Sequence, residues 1–256
     1  SKLLPFFLLV FANALSAQVT LRGTLANMPL NSTRQLALEG WNAERWQAIQ
    51  VVYLDPDNSF SVRLEAPGAG QYRLRAWGEA KMWNDFILSA DSLLTDTLLV
   101  FNLDYQRLNT GPAKITGSLA NTLYYDLLQA YAKAHPATPD NTPAAVKRLH
   151  ALQTDLNRRC MELANKYRKT LIGDIALLMY EPVQADYGAA VQKMSASEFA
   201  QAHALDQIPF HHDNVLYHNG FLKRLNRYFD YFERTPAGNK AYVDGVMSRR
   251  NGNDYV

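Results

Sequence analysis

Residues 117–136 read GSLANTLYYDLLQAYAKAHP, and this stretch decides the fold. Leu119, Leu123, Tyr124, Leu127, Leu128 and Tyr131 recur at intervals of three and four, the spacing of one helix face, and Pro136 marks the end. Upstream of Thr116 the period is different. VTLRGTL (19–25), RQLALEGW (34–41), WQAIQVVYL (46–54), FSVRL (60–64), QYRLRAW (71–77), DFILS (85–89) and TLLVF (97–101) follow one another with turn chemistry between them. Short strand patterns spaced by roughly ten residues, with no helical pattern between them, predict an antiparallel sandwich or partly open barrel. The chain therefore reads as α+β, with a β unit over 18–112 and an all-helical unit over 113–256. Within the β unit, VVYLDPDNSFSVRL (51–64) has the look of a hairpin, because Pro56 presets φ and Asp55, Asp57 and Asn58 satisfy the local backbone.

Downstream of 136 the helical grammar continues. Thr142 and Pro143 give an N-cap and a first helical position. From there Val146, Leu149, Leu152, Leu156, Cys160, Leu163 and Tyr167 draw one apolar stripe. LIGDIALLMYEP (171–182) predicts a buried helix stopped at Pro182. Ser195 with Glu198 forms a capping box, and two further helical stretches begin near Asn219 and Ala237.

The 256 residues are 48% hydrophobic with a net charge of +2. That suffices for one large or two ordinary domains with real cores. The charge is too small to argue for nucleic acid, and no basic run is interleaved with aromatics. At the start, SKLLPFFLLVFANALSAQ (1–18) places Lys2 before an apolar run from Leu3 to Leu15 and small residues ending at Ala17. This is the layout of a secretory signal peptide over 1–17. The run is short for a bilayer span, so the mature chain is expected to be exported, periplasmic or beyond, soluble and without a membrane span.

Candidate chemistry is sparse. Cys160 is the single cysteine, so neither an intramolecular disulfide nor a C-x-x-C pair can form. On the apolar stripe it reads as a small buried hydrophobe, a structural thiol. Arg158 and Arg159 could favour a thiolate, but neighbours one and two positions away face other directions on a helix. His211, His212, Asp213 and His218 offer imidazoles and a carboxylate for a borderline metal. Their spacing fits no established pattern, and adjacent histidines diverge, so the expectation is a polar loop and no bound metal. Tyr217, Phe221, Tyr228, Phe229, Tyr231 and Phe232 lie mostly at helical spacing and read as core or a docking face. Asp85 with Asp91 is an ordinary pair. No Gly-rich phosphate loop, nucleophile elbow or H-E-x-x-H occurs, so no catalytic residue and no cofactor is assigned.

The order of signal peptide, VTLRGTL, a hairpin around DPDNSFSVRL, GQYRLRAW, DFILSADS and the GSLANTLYYDLLQAY helix resembles the N-terminal region of exported thioredoxin-like proteins of the TlpA type, common in Bacteroidota. IPFHHDNVLYHNGFLKRLNRYFDYF (208–232) is similar to a segment of their helical region. The resemblance covers nearly the whole mature chain as loose patterns. It implies a β-rich domain and helical region preceding a thioredoxin domain whose C-x-x-C matches no position here. The chain starts with Ser and ends at NGNDYV, where such proteins continue, so a fragment is expected, with a stand-alone relative as the alternative. The leading functional reading is the non-catalytic part, binding a protein or peptide partner or a substrate, of an exported thiol–disulfide oxidoreductase. A stand-alone peptide- or glycan-binding module using exposed aromatics such as Trp77 and Trp83 is the second. A metal-dependent enzyme on the His211 group is the third.

Overall fold

The structure, a computed structural model, describes residues 18–251 except 66, 80, 90–93, 95, 109–113, 139 and 141. The expected signal peptide, Asp91 and the last five residues lie outside the described residues. Eight strands form two four-stranded sheets. The first runs β4 (Ser59–Glu65), β1 (Gln18–Ala26), β7 (Leu98–Asp104), β8 (Lys114–Thr116). The second runs β3 (Trp46–Tyr53), β2 (Gln35–Trp41), β5 (Gly70–Ala76), β6 (Trp83–Leu88). Every pairing is antiparallel except β1 with β7, which run parallel. Helices follow: α1 (Leu119–Ala134), α2 (Pro143–Lys166), α3 (Leu171–Met179), α4 (Ala189–Gln192), α5 (Ala196–His203), α6 (Asn219–Phe229) and α7 (Pro236–Asn251). The chain is an α+β protein with its β region first.

Alternating side chains of β1, β4 and β7 face the second sheet, among them Leu21, Val62, Leu99 and Phe101. The two layers meet through a run of rings. Tyr72 stacks on its cross-strand partner Phe86, Phe86 meets Phe101 edge-on at 5.1 Å, and Phe101 lies 6.2 Å from Phe60. Between Phe60 and Phe101 stands Gly23, paired with both. A Cβ there would lie 2.6 Å from the Phe101 carbonyl oxygen and 2.8 Å from the Phe60 ring, so the contact across β1 exists because position 23 has no side chain.

The expected hairpin at 51–64 is corrected. Its turn forms as read, with Asn58 at φ 62°, Asp57 Oδ1 accepting from the Ser59 amide, and the Asp55 amide donating to the Ser59 carbonyl. The flanking strands do not pair: β3 joins β2, and β4 crosses to join β1 in the opposite sheet. Period-2 alternation says which face of a strand is buried, not which neighbour it takes. Here Val52 and Leu54 on one side of the turn, and Phe60 on the other, are all buried in the common core.

β8 lies beyond the expected end of the β unit at 112. After it, Gly117 turns the chain with φ 88°. A Cβ at that position would sit 2.4 Å from the Leu98 carbonyl oxygen. Ser118 then caps α1 by accepting from the Asn121 amide. The predicted α1 face packs as read from Leu123 to Tyr131, with Tyr124 and Leu127 buried, but Leu119 is exposed and the buried surface also takes in Asn121 and Tyr125. Both serve the free edge of β6. The Asn121 side chain accepts from the Ile87 amide at 2.9 Å and donates to the Ile87 carbonyl at 2.8 Å, and the Tyr125 hydroxyl donates to the Asp85 carbonyl. A helix thus completes hydrogen bonds that a further strand would have made. On α2 the stripe packs only from Leu152 onward, and Val146 is exposed. The Thr142 cap with Pro143, the buried α3 and the Ser195–Glu198 capping box form as read.

One apolar core runs from the sandwich into α1, α2 and α3. A second, smaller one gathers Leu178, Leu205, Ile208, Val215 and Tyr228, with Phe221, Phe232 and Tyr242 packed around it. Among the described residues no helix is long and apolar enough to cross a membrane.

Candidate functional site

Where β5 and β6 meet α1, the end of α3 and α6, a cleft of about 210 Å³ opens, with Gln71, Asp85, Tyr124, Tyr131, Glu181 and Arg227 among its walls. Gln71 and Asp85 stand on the sheet face opposite the sandwich core. Gln71 donates to Tyr124 and Asp85 and accepts from the Asn219 amide, joining the sheet to α1 and to the start of α6. Arg73 meets Asp85 with two hydrogen bonds, and its guanidinium lies 3.7 Å from the Trp46 ring and 4.4 Å from the Trp83 ring. Trp83 is therefore engaged in holding Arg73, while Trp77 is exposed. Burial raises the Asp85 carboxyl above its ordinary value against the opposing pull of Arg73.

The helical wall is organised by Glu181. Its backbone is gripped by Asn157 on α2, which donates to the Glu181 carbonyl at 2.6 Å and accepts from its amide at 3.1 Å. Its carboxylate accepts from Tyr131, from His135 at 2.8 Å and from Arg227, with Arg224 at 3.8 Å. Burial alone would raise this carboxyl, but the His135 hydrogen bond and the charges of Arg227, His135 and Arg224 outweigh it and hold it at about 2. His135 has the Tyr131 carbonyl oxygen at its other ring nitrogen, so both nitrogens face acceptors and the imidazolium is favoured. The Glu181 hydrogen bond raises its pKa accordingly. Arg224 is buried and donates through Nε to the Ala204 carbonyl. Lys223, also on the cleft wall, forms no ion pair among the described residues. Asp85 answers Arg73, and Glu181 answers Arg224 and Arg227, so the cleft retains excess positive charge.

The expected divergence of the adjacent histidines is corrected: His211 and His212 stay in contact, their ring centroids 4.2 Å apart, and His218 alone stands elsewhere. His212 Nδ1 bonds Asp174 Oδ1 at 2.7 Å on α3, and His211 packs edge-on against His212. His218 caps α6: its Nδ1 accepts from the Gly220 amide, which places the proton on Nε2. Nε2 is buried without a hydrogen-bond partner, and the ring stands perpendicular to Tyr124. Burial, assisted by Lys223, pushes its pKa down to about 3, so the ring is neutral. Asp213 opens the 3-10 turn Asp213–Tyr217. Among the described residues, no group of three or more His, Cys, Asp or Glu side chains can hold a metal ion.

Cys160 is fully buried, and burial pushes its thiol up to about 12. Arg158 and Arg159 turn to Asp155 and Glu162 on the outer face of α2. Of the aromatic group, Tyr228 is buried, Phe221, Tyr231 and Phe232 are partly buried around it, and Tyr217 is exposed.

Sequence reasoning missed Glu181, Asn157, Asn121 and His135. A signal for Glu181 was present: an acidic residue between the apolar end of α3 and Pro182. The buried asparagines carried none, since an asparagine on a helix reads as a solvent-facing residue whichever way it points. No protein-family model matches this chain, and comparisons with curated proteins and with solved structures found no match.

Proposed function

We propose that this chain is the non-catalytic, partner- or substrate-binding portion of an exported thioredoxin-like thiol–disulfide oxidoreductase. The observation that carries the binding half is the junction cleft, whose positive excess suits a carboxylate of a peptide or protein partner. Cys160 supports the non-catalytic half, because a buried thiol at about 12 supplies almost no thiolate at neutral pH.

Two experiments test the halves separately. Reading the coding sequence beyond Val256 tests the redox parentage: a C-x-x-C within a βαβ pattern is expected, and its absence from the remaining frame overturns it. Titrating the chain with acidic and charge-neutral peptides, followed by amide chemical shifts, tests the cleft. Acidic peptides should move resonances of α6 and β5, and Lys223→Glu should weaken them about fivefold, the worth of one exposed charge pair. Equal response to neutral peptides would refute the assignment.

A second reading, a stand-alone peptide- or glycan-binding module, is favoured by a different concavity on the same molecule, a groove without charged side chains at the end of the second sheet.

A further inference from the structure

That groove, about 580 Å³, is built where the β2–β3 turn, the β4–β5 loop and the 3-10 turn at Asp213–Tyr217 converge. We infer that it is a carbohydrate-binding site that takes a neutral oligosaccharide. The inference rests on the binding-module reading and names its ligand.

The chemistry of the lining carries it. A fifth of the chain is charged, yet no side chain on the groove wall bears a charge. Its walls are aromatic rings, aliphatic carbon and primary amides. Tyr217 is 46% exposed, Ile49 is half exposed, and Trp41 is held by edge contact with Trp46. The Tyr72 hydroxyl is occupied with the Gly68 carbonyl, so that ring contributes its apolar surface to the floor. The polar groups are neutral and have capacity left over. Gln47 accepts from Asn42 through its carbonyl oxygen, and its NH₂ has no partner among the described residues. The Asn214 side chain and the Tyr217 hydroxyl make no hydrogen bond to described residues either.

A sugar ring presents an apolar C–H face for stacking, with hydroxyls around its rim that both donate and accept. Primary amides match that dual role, because each carries both donors and an acceptor. An anionic or cationic ligand would find no counter-charge here. The volume lies within the range of small-ligand sites and leaves room for a short oligosaccharide. The site is distinct from the junction cleft, with Gln71 standing in the wall between them.

The test is a screen of the intact chain against an array of neutral oligosaccharides, followed by titration of the responders read by tryptophan fluorescence and calorimetry. At least one neutral glycan should bind. Tyr217→Ala should weaken it tenfold or more, and Gln47→Ala with Asn214→Ala should do the same. All three positions lie at the surface, and an unchanged melting temperature verifies folding. Lys223→Glu, which weakens the junction cleft, should leave glycan affinity intact, so failure of one site is told from failure of the other. No binder across the array, binding indifferent to Tyr217→Ala, or a neutral peptide that shifts Gln47 and Tyr217 where no sugar does, would each overturn the assignment.

Discussion

The two apolar cores differ in what holds them. The first joins both sheets to α1, α2 and α3 and includes side chains with no exposure, such as Leu21, Phe86, Leu99 and Ile175. The second has five buried hydrophobic residues among those described, drawn from the end of α3, from the segment after α5 and from α6, with α7 packed against them. Long polar side chains reaching backbone carbonyls supplement it: Arg224 to Ala204, Gln201 to Tyr231 and Arg249 to Ala202. Full burial of a large apolar side chain contributes about 1.5–3 kcal/mol, a neutral hydrogen bond such as that of Gln201 nets about 1 kcal/mol and one from an arginine about 1.5–3 kcal/mol. The larger number of fully buried side chains in the first core decides. Stability is therefore concentrated in the first core, and the C-terminal helices are the region expected to open first.

Substitution in each core gives the sharpest break. Phe86→Ala removes the ring that joins the two sheets and should cost about 3–5 kcal/mol in global denaturant unfolding. Tyr228→Ala should instead strip hydrogen-exchange protection from α5, α6 and α7 while the sandwich amides keep theirs. Loss of protection in both regions together would show a single cooperative unit.

Between the cores sits Glu181, and its effect is next in size. Its folded pKa lies below the ordinary value of 4.5, so its contribution is present above 4.5 and lost as pH falls toward about 2. His135 has the opposite sense: its pKa is raised, so its contribution is full below 6.5 and lost as pH climbs through the raised value. The pair should be strongest between roughly pH 4.5 and 6.5. Glu181→Gln should cost about 3 kcal/mol near pH 6 and flatten the acid limb of the stability curve. Thermal melts of both proteins from pH 2 to 9 check this, and parallel acid limbs would contradict it.

The smallest effect belongs to Cys160, buried within the first core. Cys160→Ala should cost about 1 kcal/mol, as small core truncations do. Thiol labelling of the native chain at neutral pH should run orders of magnitude slower than in denaturant. Rapid native labelling would mean that α2 opens far more readily than its packing implies.

The division into strands and helices, the caps at Thr142 and Ser195, and the burial of Cys160 were all legible, because each is written in neighbouring residues. Strand partners were not. The Asp55–Asn58 turn follows its residues, yet β3 and β4 leave it for different sheets. Their alternation is the same in a hairpin and in a crossing between layers. The α1 face was legible from Leu123 to Tyr131 but not at its start: apolar spacing favoured Leu119, which is exposed, while the open edge of β6 claimed Asn121 and Tyr125.

By itself the sequence determined that the chain carries one cysteine and no thiol pair, and that it changes period near Thr116, since those properties are local. Only the tertiary structure decided which polar residues matter. Glu181, Asn157, His135 and Arg227 are separated by up to 92 positions and become one network because α1, α2, α6 and the end of α3 meet at Glu181. Their chemistry depends on which partners burial brings within hydrogen-bonding distance, and that distance is a property of the fold, not of the order of residues.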